Sequence, residues 1–131
     1  MFEGVLINQR QAGFMHFMDP KYDLIVHEQH WPEHTSWYIM DAFGDGMVRV
    51  TVYNDEPFEA IISDLFVVED MRKKRLGNYL LKFVKYCVSD YNESYDDFVK
   101  CVAVAANDIS AHMFEQFGFI KEKDGRYILY P

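Results

Sequence analysis

Cysteine is almost missing from this chain: Cys87 and Cys101 are the only two among 131 residues. One falls in a helical pattern and the other in an apolar extended run, where both read as small core residues, with a disulfide or a catalytic thiol as the alternatives. So little cysteine excludes a disulfide-built fold and fits a reducing cytoplasm. Long hydrophobic runs are missing too. None approaches the ~18 residues a membrane span needs, and MFEGVLINQRQAG lacks a basic flank ahead of a long apolar segment, so no signal peptide is expected. Positive charge is also in deficit, with 13 Lys and Arg against 21 Asp and Glu, a net charge of -8. General nucleic-acid binding favours a basic face and is disfavoured here; a cationic substrate such as an amine suits the balance. Repeats, low-complexity tracts and linkers are absent.

What is present is a core. Half the residues are apolar and 17% aromatic, with 11 Phe and 9 Tyr, enough to exclude a disordered chain and to fill one domain over residues 1–131. Residues 1–34 are the least patterned. Val5 to Ile7 and Leu24 to His27 are short apolar pieces with strand character, and Asp19-Pro20 marks a turn. His16, His27, His30 and His34 invite a metal, but no Cys accompanies them and their spacing matches no helix-face ligand motif, so they read as surface or cleft histidines and no metal is expected. Trp31 and Trp37 read as packing anchors.

From Ser36 the periodicity is clear. Ser36–Phe43 and Met47–Tyr53 form a hairpin across Gly44-Asp45-Gly46, with Val48, Val50 and Val52 alternating toward a core. Asn54-Asp55-Glu56-Pro57 turns the chain into Glu59–Val68, an antiparallel neighbour whose end, Leu65 to Val68, is apolar throughout and expected to be covered on both faces. The next helix carries Leu76, Leu80, Phe83, Cys87 and Tyr91 on one stripe. Asp96-Asp97 precede a buried strand, Phe98–Ala105. Asn107 or Asp108 caps a helix whose apolar face is Ile109, Met113 and Phe117, and Gly118 stops it. A hairpin, Phe119–Lys123 with Arg126–Tyr130, closes across Asp124-Gly125. This order predicts an α/β fold around one mixed sheet.

Between the third strand and its helix stand Arg72, Lys73, Lys74 and Arg75, a local basic knot in an acidic chain. A strand feeding a helix leaves N–H donors without intrahelical partners and the positive end of the helix dipole, which together suit an anion. Gly77 removes a side chain where something could lie against the first turn. Basic side chains there would add charge-assisted bonds to phosphate. A solvated charge run or a nuclear-localisation tetrapeptide is the alternative.

Two segments, Leu65 to Leu81 (LFVVEDMRKKRLGNYLL) and Asn107 to Phe119 (NDISAHMFEQFGF), make the chain resemble the GCN5-related N-acetyltransferase superfamily over about residues 36–130. The first is similar to the family's acetyl-CoA motif. Arg72 and Gly77 match its outer positions, and Arg75 stands where the family usually has Gly. The second is similar to the motif that runs from Asn to Gly-Phe, with Phe114 where many members have a Tyr that protonates the departing thiolate. The resemblance implies an acyl-CoA N-acyltransferase-like fold, a mixed, mostly antiparallel sheet with flanking helices. It implies acetyl-CoA as co-substrate. Phe66 and Val67 would pair with the pantetheine arm as with an added strand, the N–H groups from Arg72 through Lys73, Lys74, Arg75 and Gly77 to Asn78 would cradle the pyrophosphate, and Asn107 would hydrogen-bond the pantetheine. The two helices that often precede the first hairpin are largely missing.

Transfer to an amine needs a base. Glu59 is the first candidate and Asp64 the second. Simple alternation puts Glu59, Ile61, Ser63 and Leu65 on one face and Asp64 on the other, unless a bulge intervenes. His27, His30 and His34 are further candidates, and a solvated strand-end charge is the alternative for Glu59. The expected function is N-acetylation of an amine on a small molecule or protein, without nucleic acid or membrane partners. The competing expectations are a non-catalytic acyl-CoA sensor or interaction domain, kept open by Phe114, and a phosphate-backbone or phosphopeptide contact at the basic knot. Aromatic richness and an open sheet edge are compatible with a homodimer.

Overall fold

The computed structural model describes residues 5–11, 14–18, 23–53, 55, 57–72, 75–95 and 97–131, and of residues before 24 and of Arg72 the backbone alone. The turn expected at Asp19-Pro20, parts of the turns at Asn54, Glu56 and Asp96, and the predicted phosphate contacts Lys73 and Lys74 lie outside the described residues.

Among the described residues nine strands form one sheet: β1 (Val5–Gln11), β2 (Phe14–Met18), β3 (Asp23–His30), β4 (His34–Asp41), β5 (Gly46–Tyr53), β6 (Glu59–Val67), β7 (Lys100–Ala103), β8 (Ile120–Lys121) and β9 (Tyr127–Leu129). Three helices join them: α1 (Glu69–Arg72), α2 (Leu76–Tyr95) and α3 (Asp108–Phe117). The sheet runs β1-β2-β3-β4-β5-β6-β7-β9-β8, antiparallel throughout except for the β6–β7 pair. This is the mixed, mostly antiparallel α/β architecture expected. In the N-terminal third, the apolar pieces read at Val5 to Ile7 and Leu24 to His27 lie within the longer strands β1 and β3. Consecutive hairpins carry the sheet outward through β3, β2 and β1, so the strand run begins well before Ser36.

Register assigns the two faces. Val26 pairs with Ile39, Ile39 with Val48 and Val50 with Ile62, and all are at or near zero exposure. On this face lies α2, whose stripe of Leu76, Leu80, Phe83, Cys87 and Tyr91 is buried as its spacing demands. Tyr91 meets Trp37 edge to face at 6.1 Å. A cluster of about 25 such side chains at ~0.8 kcal/mol per buried CH₂ is the main stabilising term. At the far end of α2, the Asn92 carboxamide donates to Val99 O at 3.0 Å and accepts from Val99 N at 2.9 Å, clamping the helix to the entrance of β7. α3 sits on the same side. Its Phe114 packs on Phe119 (5.2 Å) and Tyr127 (5.6 Å), and Tyr127 is aligned through Ala103 with Ile62.

Two readings of local phase are corrected. In β6, Arg49 pairs with Ser63 but Met47 pairs with Phe66, so three steps on β6 answer two on β5: a bulge at Asp64, whose φ is +56. The extra residue moves Leu65 and Val67 onto the face of Ala60 and Ile62, and puts Phe66 on the face of Ser63. The end of β6 is therefore not covered on both sides. Val67 is 2% exposed and Phe66 51%. In α3 the inward residues are Ser110 and Phe114, flanked by half-buried Met113 and Phe117, while Ile109 is 43% exposed. The apolar arc is rotated by one position from the one expected, because the cap at Asn107 turns Ser110 inward.

Candidate functional site

The β6–β7 ladder runs from Glu59↔Lys100 to Ile62↔Ala103 and stops there. Past the bulge β6 continues to Val67, while the chain after β7 leaves to start α3. A groove opens between Leu65, Phe66 and Val67 on one wall and Asn107, Ser110 and Met113 on the other. It continues over the outer surface of α3 past Ile109, His112 and Gln116. Strand divergence makes this groove, so it requires no special side chain, only a parallel pair that separates.

Each wall is held locally. Asn107 is the N-cap of α3: its Oδ1 accepts from Ser110 N at 2.9 Å, and Ser110 Oγ accepts from Asn107 N at 3.2 Å, a reciprocal capping box. The Asn107 Nδ2 donor makes no hydrogen bond among the described residues and borders the groove. On the other wall, Val68 N donates to Asp45 O at 2.8 Å, tying the end of β6 to the β4–β5 loop. Gly46 and Gly77 set how α2 enters. A Cβ on Gly46 would stand 2.9 Å from Leu76 Cδ2 and 3.2 Å from Phe66 O, and one on Gly77 would collide with Met113 Sδ. The bare Cα of Gly77 thus lets α2 pack closely on Met113 of α3, besides leaving space for a ligand.

The predicted cofactor contacts separate into groups. Phe66, Val67 and Asn107 are brought together at the groove. Arg75 is exposed at the entry to α2 with φ +67, the left-handed conformation that the family's Gly would adopt without strain. Its carbonyl accepts from Tyr79 N at 3.1 Å and so belongs to the first turn of α2. Asn78 is half-buried in that turn, and Arg72 closes α1.

Of the proposed bases, Glu59 is not at the groove. It starts β6, six residues before Leu65 and so roughly 20 Å along the strand. There it is 8% exposed and its Oε2 lies 3.2 Å from Arg126 Nη1 and 3.6 Å from Lys100 Nζ. Asp64 is nearer. The bulge turns it to the Ser63 face, 3.9 Å from Arg49 Nη1. His27 and His34 stack near Tyr38 (6.4 Å) and Tyr53 (5.6 Å), and His30 Nε2 meets Glu28 Oε2 at 3.3 Å. Among the described residues no three His, Cys, Asp or Glu are grouped to hold a metal, and no described helix is long and apolar enough to cross a membrane. Cys87 and Cys101 are buried and unpaired. Burial pushes the Cys101 thiol up to about 12 and Cys87 well above its ordinary value, which suits packing and not nucleophilic chemistry.

A family model, the acetyltransferase (GNAT) family, matches residues 6–119. The chain belongs to the GNAT acetyltransferase family. A solved domain from Methanocaldococcus jannaschii is similar at 19% identity with a TM-score of 0.48, over 75% of this chain and 66% of that one. Among curated proteins there is no match. Within this GNAT chain, sequence reasoning missed the Ser110 half of the capping box, visible as a Ser three residues after Asn107.

Proposed function

We propose that this protein is an acetyl-CoA-dependent N-acetyltransferase acting on an amine. Family membership supports acyl-CoA-dependent transfer, and the observation that carries the reading is the groove where β6 parts from β7. A pantetheine arm is an extended chain with amide donors and acceptors, and a strand whose ladder has ended is a natural partner for it. Phe66 and Val67 on one wall and Asn107 on the other would hold that arm. The turn from Arg72 to Asn78, with Arg75 already in the left-handed conformation, would receive the pyrophosphate.

Acetyl-CoA supplies an activated acyl group. A nitrogen–carbon bond forms as the carbon–sulfur bond breaks, one proton leaves the nitrogen, and the sulfur takes one up. The chain's part is to align the amine and exclude water. Phe114 is 2% exposed among Phe119 and Tyr127 and carries no hydroxyl, so it donates no proton to the sulfur. That same residue favours the second reading, an acyl-CoA-binding sensor of this fold without efficient transfer.

Thermal unfolding with and without acetyl-CoA, beside free CoA, tests the first step. Ligand at ~100 times its dissociation constant adds about 2.7 kcal/mol to the native state. Thiol release with a panel of amines then separates transferase from sensor. A folded protein that neither CoA species stabilises would sink both readings.

A further inference from the structure

The sheet face opposite α2 and α3 carries an organised set of side chains next to the groove. Register places Met40, Met47 and Phe66 in one row across β4, β5 and β6, and Tyr38, Arg49 and Ser63 in the next, about 7 Å along the strands. The first row is apolar and open, with Met40 37% and Phe66 51% exposed. The second is polar and charged. The Arg49 guanidinium lies over the Tyr38 ring, its carbon 5.2 Å from the ring centre. Its Nε is buried without a hydrogen-bond partner among the described residues. The nearest described carboxylate, Asp64, is 3.9 Å from Nη1, too long for a hydrogen bond, and the two side chains are 36% and 59% exposed. Arg49 is the single Lys or Arg between residues 22 and 71.

We propose that this face binds the acceptor as an α-amino acid with an apolar side chain, its carboxylate on Arg49, its amine beside Asp64 and its side chain on the Met40, Met47 and Phe66 row. The inference rests on the acetyltransferase reading. An ion pair at 3.9 Å, too long for a hydrogen bond, leaves each member hydrogen-bonding capacity for a partner, and a ligand carrying both charges on one carbon supplies both. A planar guanidinium held on an aromatic ring favours a carboxylate, which it can engage with paired N–H groups. An amine without that carboxylate would leave Arg49 only its long contact to Asp64. Phe66 links the two sites, since its backbone belongs to the groove wall and its side chain to the apolar row. The amine is thereby placed at the end of the groove where the acyl group would arrive. Arg49 is on this account the specificity-determining residue.

The test uses the full chain with acetyl-CoA and matched acceptors: leucine beside isopentylamine, and phenylalanine beside phenethylamine. Thiol release should favour the amino acid by about 10- to 100-fold in kcat/KM, the worth of one charged hydrogen-bonded contact. R49Q should abolish that preference through KM while keeping the acetyl-CoA-induced rise in Tm, and R49K should restore it in part. Three results would overturn the proposal: equal use of the carboxylate-free amines, a preference that survives R49Q, or amino acids that neither turn over nor raise the Tm of the acetyl-CoA complex. If acetyl-CoA itself gives no shift with the wild-type chain, the acetyltransferase reading falls and the acceptor assignment falls with it.

Discussion

Gly77 on α2 and Met113 on α3 are in contact so close that a single added carbon on Gly77 would overlap the Met113 sulfur. The two motifs that carry the family resemblance, one at each end of the α2–β7–α3 segment, therefore meet in space, and each constrains the other.

This contact works against the usual effect of replacing a helical glycine. In an ordinary helix Gly→Ala stabilises by up to ~1 kcal/mol. Here the Met113 thioether must shift aside to make room, which offsets that gain, so G77A should be neutral to mildly destabilising. Met113 is long and flexible, and M113A removes the obstacle. In that background G77A should turn stabilising. Urea unfolding of the four members of the cycle reads the coupling. Additive effects would mean that Gly77 is needed for something other than this packing.

Asn107 serves two roles that one pair of substitutions can separate. Its Oδ1 caps α3, while its Nδ2 borders the groove. N107A should cost about 1 kcal/mol of stability through loss of the cap. N107D keeps the cap but has no donor. Both should weaken acetyl-CoA binding by up to ~10-fold, the worth of one hydrogen bond. Unfolding free energies and ligand-induced Tm shifts, measured on the same samples, decide it. A full ligand shift in N107D would leave Asn107 with its structural role alone.

Much of this was legible because it depends on short-range pattern. The buried stripe of α2, the β4–β5–β6 meander, the cap at Asn107 and the stop at Gly118 each follow from residues within one or two turns. What was not legible has other causes. The bulge at Asp64 inserts one residue into β6, and since the side-chain period of a strand is two, a single insertion exchanges every face beyond it. No local signal announces it: Asp64 follows Ser63 in an unbroken strand pattern. In the sequence Glu59 reads as a candidate base because it begins the strand that leads to the basic turn, and its ion pairs are not legible there. Its partners Lys100 and Arg126 are 41 and 67 residues away in sequence, and only the sheet brings them together. The rotated face of α3 has a third origin. Capping sets helical phase, and the Asn107–Ser110 box outweighs the hydrophobic count.

The buried thiols predict an alkaline limit. Burial raises Cys101 to about 12 and Cys87 well above the ordinary value of 9. The unfolded thiol loses its proton near its ordinary value while the folded one retains it. Stability is therefore fully present below about pH 9 and falls as pH rises toward the folded values, by about 1.4 kcal/mol per unit for each thiol. Tyr127, raised by burial and by its bond to Glu115, adds to the loss only above its own ordinary value of 10. Urea unfolding between pH 8 and pH 10.5 should show the decline, shallower in C101A. Equal slopes in the two proteins would contradict the burial of Cys101.

Glu59 offers the sharpest division between architecture and chemistry. Its carboxylate is 8% exposed and answers two cations, Arg126 and Lys100, whose side chains remain 35% and 31% exposed. Removing the carboxylate takes a shared partner from both cations, although Arg126 keeps Asp124 Oδ2 at 2.8 Å and Glu122 Oε1 at 3.7 Å. Solvent reaches those cations and discounts the loss, so E59Q should destabilise by about 1–3 kcal/mol. R126Q should destabilise less than E59Q, and the double variant should lose less than the sum, because both members of the pair are gone. The pH profile of acetyl transfer should be unchanged in E59Q when assayed well below its Tm. A base at this position would behave otherwise: kcat would fall and the acidic limb of the profile would disappear while the fold stayed intact. Stability and pH–rate profiles measured together on E59Q and D64N distinguish the two carboxylates, with loss of rate at constant stability expected only at Asp64.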